Sequence, residues 1–156
     1  MDTLWQILIG LLTIYLLGLG VGPLLKHAQR TVPLLPPNET LKDKWATLTS
    51  GDEGGKILGN LERLAFFGAF WIDAPLFVGA WLAFKVASKW NAWSNVISVP
   101  KTISGIDELD YLVSRRRWGS QVLMTFLIGT LANVVIGFVG AVVGHHGYGF
   151  LRSLCS

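Results

Sequence analysis

The sequence predicts an all-α integral membrane protein with three transmembrane helices. Three apolar stretches, residues 4–25, 64–84 and 122–144, carry this prediction, because each is about as long as the ~20 residues that a helix needs to cross a bilayer. Hydrophobic residues form 51% of the 156-residue chain and charged residues only 15%, against roughly a quarter in soluble domains. Since so short a chain cannot bury three such stretches in a water-soluble core, we expect one membrane domain, residues 1–156.

Spans and polar connections alternate along the chain. We place the spans at about 4–25, 60–86 and 120–145 and the connections at 26–59 and 87–119. Each connection contains one short amphipathic stretch that we expect to form a separate helix on the membrane surface. These stretches are residues 39–49 and 106–118.

The second span contains an acid followed by a proline. Asp73-Ala74-Pro75 should kink this helix or break it into a re-entrant pair, because proline lacks the N–H of the helical ladder. An unpaired carboxylate in a membrane costs a few kcal/mol, so Asp73 should be paired, protonated or hydrated. We expect it to reach Asn133 of the third span. The role of Asp73 stays open between an ion, proton or catalytic site and a neutral, hydrogen-bonded acid.

Small residues recur on the third span. Gly129 and Gly137 share a face with Asn133 at four-residue spacing, and Gly140 and Gly144 form an adjacent G-x-x-x-G pair. Small residues allow close helix contact in lipid. We therefore expect these four glycines to pack against the second span or across an oligomer.

Charged residues mark the edges of the predicted spans. Glu62 and Arg63 form a charge pair at the start of the second span. Basic residues predicted at the membrane surface follow it: Lys85, Lys89, Arg115, Arg116 and Arg117. The two connections carry nearly equal positive charge, so the positive-inside rule almost ties.

The orientation that we prefer puts the second connection and the N-terminus in the cytoplasm and His145-His146 outside. A re-entrant second helix would instead put both connections inside.

Metal, cofactor and nucleic-acid sites are not expected. The adjacent His145 and His146 lack a partner at ligand spacing, and Cys155 is a single cysteine. The basic residues are divided between loops and form no groove-sized patch. The predicted partners are the lipid bilayer and a second copy or another membrane protein.

Three short motifs lie in order along residues 55–140. They are Gly59–Leu64 (G-N-L-E-R-L), Gly79–Lys85 (G-A-W-L-A-F-K) and Phe126–Leu131 (F-L-I-G-T-L). Together they resemble the I-G-x-L-E-R-L, G-F-x-x-A-A-K and Y-x-L-I-G-T-L segments of an uncharacterised bacterial family of small polytopic membrane proteins. The H-x-x-x-D-F signature of that family's N-terminal half has no counterpart here.

The resemblance implies a bacterial inner-membrane protein and no particular activity. It also implies that Glu62, Arg63, Lys85 and the Gly129-Thr130 pair are family features. We expect a non-enzymatic, multi-pass subunit that self-assembles or docks a partner. The alternatives are an oligomeric channel or transport component with Asp73 and Asn133 near its pathway, and a membrane-embedded enzyme that uses Glu62 and Asp73 on a lipid-linked substrate.

Overall fold

The computed structural model describes residues 2–31, 53–97 and 108–154, and these segments are helical. The helices are α1 (Asp2–Gly18), α2 (Val21–Thr31), α3 (Glu53–Trp71), α4 (Pro75–Ile97) and α5 (Glu108–Leu154). The described residues contain no strand, so the all-α prediction is confirmed for them. The predicted surface helix at 39–49 lies outside the described residues.

Two helical segments are long and apolar enough to cross a membrane, judged by length and composition. They are Asp2–Ala28, which combines α1 with most of α2, and Arg116–Gly147 of α5. Only 11% of the apolar window of the first and 33% of that of the second is buried, whereas the core helix of a soluble protein is mostly covered. Large apolar side chains on both segments are therefore exposed.

The region predicted as the second span is a helical hairpin rather than one crossing helix. Glu62 and Lys85 are 23 residues apart, which in one continuous helix means about 34 Å. Lys85 Nζ nevertheless lies 2.6 Å from Glu62 Oε1. The chain must therefore reverse between α3 and α4. The apolar part of α4, Pro75–Ser88, is shorter than a full span.

The reversal occurs at residues 72–74. Asp73 adopts a φ of 56°, in the left-handed region that Asp tolerates better than most residues. The Ala74 N–H donates to the Ala69 carbonyl at 2.7 Å and closes the end of α3. Pro75 then begins α4, where its missing N–H costs no helical hydrogen bond.

Helix α5 packs against both arms of the hairpin and against α1. One apolar cluster joins Ile14 of α1, Phe67 of α3 and Ala141 of α5. A second cluster contains Phe66, Ala69 and Val78, with Val134 of α5 packed against it. The fold is therefore organised around α5.

Glycines on α5 lie where its neighbours approach most closely. A Cβ at Gly137 would lie 2.7 Å from Phe66 Cβ, and one at Gly144 would lie 2.8 Å from the Gln6 carbonyl oxygen. Gly140 packs on Ile14 and Gly10 of α1, and Gly129 faces Leu25 at ordinary contact distance. These four glycines are thus covered by other helices of the same chain.

The start of α1, the hairpin turn and the later part of α5 lie together; we call this the tip end of the bundle. Trp71, just before the turn, stacks on His145 with ring centroids 3.9 Å apart. Gln6 Nε2 donates to the His145 carbonyl at 3.5 Å. The start of α1 and His145 therefore lie at the same end of the bundle, whereas the preferred orientation expected them on opposite sides of a membrane. The other end, where α2 ends and α3 begins, is the loop end.

The predicted surface helix at 106–118 is not a separate element. Helix α5 runs without interruption from Glu108 to Leu154, so most of that stretch forms its first turns. The one helix-weakening residue at the junction is Gly119, and a single Gly costs only about 1 kcal/mol in a helix interior. That cost is too small to end a helix that is packed further along.

Candidate functional site

A buried ion pair joins the two arms of the hairpin. Glu62 of α3 is 2% exposed and accepts from Lys85 Nζ of α4 with both oxygens, at 2.6 Å (Oε1) and 2.8 Å (Oε2). Trp81 Nε1, one helical turn before Lys85, donates to Glu62 Oε1 at 3.1 Å. The carboxylate is therefore neutralised and hydrogen-bonded on the α4 side.

Helix α5 completes the surroundings of both charges. Lys85 Nζ donates to Thr130 Oγ1 at 2.9 Å and lies 4.9 Å from the centre of the Phe126 ring. Asn133 Nδ2 donates to Glu62 Oε2 at 3.2 Å. We call Glu62, Trp81, Lys85, Thr130 and Asn133 the polar cluster. It connects three helices through hydrogen bonds to charged groups, which are about twice as strong as neutral ones.

Helical periodicity explains why these side chains meet. Trp81 and Lys85 are four residues apart, and Thr130 and Asn133 are three apart, so each pair lies on one helix face. The same faces continue into apolar contacts at Val78 on α4 and Val134 on α5. The apolar contacts therefore set the register that aligns the polar groups.

The cluster lies deep within the bundle. Thr130 and Asn133, each 5% exposed, flank the midpoint of the apolar segment Arg116–Gly147. If that segment crosses a bilayer, the ion pair lies near the mid-plane. A lone charge there costs at least about 2.5 kcal/mol, so each charge requires the other.

Two polar atoms beside the cluster have no hydrogen-bond partner among the described residues. They are Asn133 Oδ1 and Arg63 Nη1. The other arm of the Arg63 guanidinium bonds Asn60 Oδ1, and the group packs against Gly18. Because Gly18 ends α1, the cation lies at the negative end of that helix dipole.

Asp73 and Asn133 do not meet, contrary to the sequence-based expectation. Asp73 is exposed in the hairpin turn. It lies about 16 Å from Glu62, measured along the axis of α3. It is Glu62 that Asn133 contacts. The expected contact assumed that the second span continues past Asp73 as a kinked helix, whereas the chain reverses there, as in the alternative of a broken helix pair. Glu62 itself lies midway along α3 (Glu53–Trp71).

Asp73 instead lines an open cleft at the tip end. The cleft has a volume of about 450 Å³, and His145 and His146 also line it. Its other lining residues are apolar: Phe70, Phe138, Ala141 and Val142. No residue of the polar cluster lines it, so the two sites are separate.

The remaining predicted residues are placed as follows. Arg116 and Arg117 are exposed on the first part of α5. Lys89 and Arg115 lie on helices, but their side chains are outside what the structure describes. Lys85, predicted as a surface anchor, is instead 13% exposed and paired. Within 2–31, 53–97 and 108–154, no group of three His, Cys, Asp or Glu side chains is arranged to hold a metal ion.

Sequence reasoning singled out Glu62 and Asn133 but not Trp81 or the pairing with Lys85. The available signal was an acid and a base placed at similar distances on either side of Asp73-Pro75. Such an acid and base can pair only if the chain reverses between them, as it does in a hairpin. Comparisons with protein-family models, with curated proteins and with solved structures found no match for this chain.

Proposed function

We propose that this chain is a multi-pass membrane subunit without enzymatic activity, which self-assembles or docks another membrane protein. The proposal rests on how the two buried charges are paired and hydrogen-bonded. Glu62 and Lys85 are satisfied by each other and by side chains of three helices. A buried carboxylate held in this way supports a structural role, because both of its oxygens are engaged by side chains of the same chain.

The hairpin suggests a topology in which α1–α2, α3, α4 and α5 all extend between the same two surfaces. Described basic residues other than the hairpin's Arg63 and Lys85 lie mostly toward the loop end: Lys26, Arg30, Lys56, Lys89 and Arg115–Arg117. The exception among the described residues is Arg152. By the positive-inside rule we place the loop end in the cytoplasm. Both connections are then inside.

The three motifs that carry the family resemblance meet in the structure. Glu62, Lys85 and Thr130 come from three separate motifs, and hydrogen bonds join them. A shared polar cluster is a physical reason for the three motifs to occur together. On the resemblance alone, we propose a bacterial inner-membrane location for the chain.

The outer face of α4 is the surface that we propose for docking. Gly79, Ala83 and Ala87 are exposed at four-residue spacing, and a Cβ at Gly79 would meet no atom within 4 Å. Small residues at this spacing let a second helix approach closely in lipid. The glycines of α5, in contrast, are already covered.

Native mass spectrometry of the protein in nanodiscs tests this function. We expect a defined homo-oligomer or a complex with another membrane protein. Ala83→Leu should reduce it to a monomer, because the larger side chain separates the backbones. Ala65→Leu, the same change on an exposed position of α3, should leave the assembly intact.

A wild-type protein that is monomeric and carries no partner would contradict the proposal. Equal effects of the two leucine substitutions would also contradict the assignment of the α4 face. Thermal unfolding of both variants shows whether each is folded before its mass is interpreted.

A transport component is the second candidate, favoured by Asn133 Oδ1, a buried acceptor that has no hydrogen-bond partner among the described residues. A buried acceptor with no protein partner is a position where a passing ion or water could bind. Planar-bilayer recordings test it: Asn133→Leu should change the conductance of wild-type protein. An enzyme that uses Glu62 and Asp73 together has less support, since about 16 Å of α3 separates them.

A further inference from the structure

The cleft at the tip end has the composition of a ligand site. It encloses about 450 Å³, within the ~300–1,000 Å³ range of small-molecule pockets. Its lining is largely aromatic and aliphatic and includes one carboxylate and two imidazoles. Apolar lining with a few convergent polar groups is the usual make-up of such sites.

Aromatic contacts hold the walls of the cleft in place. Phe70 of α3 and Phe138 of α5 meet edge to face, with ring centroids 5.3 Å apart. Trp71 stacks on His145 with its ring plane only 10° from parallel. The two sides of the cleft are therefore tied to each other as well as to the bundle.

Asp73 places a carboxylate at the cleft. Within the described parts of the chain, no hydrogen bond or ion pair involves its carboxylate. Its left-handed backbone, with φ 56°, is a conformation that costs a non-glycine residue energy. The turn therefore carries a charged side chain at a position where glycine would adopt the same backbone conformation with less strain.

We propose that this cleft binds the ammonium group of an ethanolamine phospholipid. The ammonium would pair with the Asp73 carboxylate and lie near the faces of Phe70 and Phe138, since cations are attracted to aromatic faces. His145 and His146 offer N–H donors to the adjoining phosphate. Ala141 and Val142 extend the apolar lining that the acyl chains would follow.

This inference rests on the proposed membrane topology, which puts the tip end at the surface opposite the basic loop end. Lipid headgroups lie at the membrane surface, and the cleft combines apolar residues with polar ones. An anionic headgroup such as glycerol phosphate does not match the site, because Asp73 would repel it. The expected preference is therefore for ethanolamine over glycerol headgroups.

Native mass spectrometry of bound lipid tests the preference. The full chain is reconstituted in nanodiscs of equal phosphatidylethanolamine and phosphatidylglycerol, and the lipids retained after release are counted. Wild-type protein should retain the ethanolamine lipid by about tenfold over the glycerol lipid, the scale of one charge-assisted hydrogen bond. Equal retention of the two lipids would overturn the proposal.

Asp73→Asn is the decisive variant, because Asn keeps the shape and tolerates the left-handed backbone. It should abolish the preference. Asp2→Asn, which removes the same charge at the same end of the bundle, should preserve it. Retained preference in Asp73→Asn, or equal loss in Asp2→Asn, would contradict the site.

A second variant keeps the test valid if the turn does not fold with Asn. Phe138→Leu removes an aromatic face but keeps an apolar side chain, and it should weaken the preference about threefold. Phe84→Leu, at a position 64% exposed on α4, is its control. An unchanged preference in Phe138→Leu would count against the aromatic contribution.

Soluble phosphoethanolamine distinguishes a free ligand from a lipid. Displacement of the bound lipid by millimolar phosphoethanolamine would assign recognition to the headgroup alone, whereas resistance would assign part of it to the acyl chains. The subunit mass in the same spectra reports assembly separately. Failure of lipid selectivity can therefore be told apart from failure of the proposed subunit function.

Discussion

Glu62 and Lys85 face each other across the hairpin, and both carboxylate oxygens of Glu62 lie within 2.8 Å of Lys85 Nζ. The two residues lie at nearly equal distances along the chain from the turn at Asp73, so their pairing requires the chain to reverse there. Thr130 and Asn133 then bind the pair to α5. The ion pair and its hydrogen bonds thus link both arms of the hairpin to α5, beside the apolar contacts that set the register.

Glu62→Gln should destabilise the protein strongly. The substitution leaves the Lys85 ammonium buried without its counter-charge, and breaking a buried pair on one side costs about 3–5 kcal/mol. Thermal unfolding in nanodiscs, followed by circular dichroism, should show a large fall in the midpoint. Lys56→Gln, which removes a charge from an exposed position of α3, should change it little.

The double variant Glu62→Leu with Lys85→Leu separates pairing from burial. Replacing both charges by apolar groups should recover much of the loss, because a buried pair contributes little beyond a hydrophobic substitute. If the double variant is as unstable as Glu62→Gln, the instability of the single variant does not come from the unpaired charge of Lys85.

Gly137→Ala and Gly68→Ala should have opposite effects. At Gly137 the new Cβ would lie 2.7 Å from Phe66 Cβ and 2.9 Å from the Phe67 backbone nitrogen, so α3 and α5 must separate, at a cost of about 1–3 kcal/mol. At Gly68 no atom lies within 4 Å, and Ala should stabilise the helix by up to about 1 kcal/mol. Unfolding midpoints that move in the same direction would contradict this packing.

Cysteine labelling tests the hairpin topology. In a Cys155→Ser background, Lys56→Cys and Lys89→Cys should react with an impermeant maleimide only from the cytoplasmic side. Ile72→Cys, at a position 72% exposed in the turn, should react only from the other side. The reason is that α3 and α4 run in opposite directions between the loop end and the tip end.

A single crossing helix predicts a different labelling pattern. Lys56→Cys and Lys89→Cys would then react from opposite sides of the membrane, and this result would exclude the hairpin topology. Circular dichroism of each variant controls for local unfolding.

The helical fold could be predicted from composition and apolar periodicity, since both act locally. The break near Asp73 could also be predicted, because proline and an acid disrupt an apolar helix wherever they occur. The direction of the chain after the break could not. A kink and a reversal have the same local sequence, and the choice depends on what α3 and α4 contact afterwards.

The candidate site, too, could be predicted only in part from the sequence. Glu62 and Asn133 attract notice in the sequence because charged and polar residues are costly at membrane depth. Their pairing could not be predicted from the sequence. In a second span that continues past Asp73, the acid level with Asn133 is Asp73 rather than Glu62. Once α3 folds back, the acid level with Asn133 is Glu62, and Asp73 moves to the cleft.

The sequence by itself thus determined that the chain is helical and rich in apolar helix surface, and that the helix before Asp73 would be interrupted there. The tertiary structure decided which charges meet, which glycines are already covered and which face of α4 stays open. The physical reason is range: helix formation depends on neighbours within about four residues. The pairing of Glu62 with Lys85, Thr130 and Asn133 instead depends on packing between helices far apart in the chain.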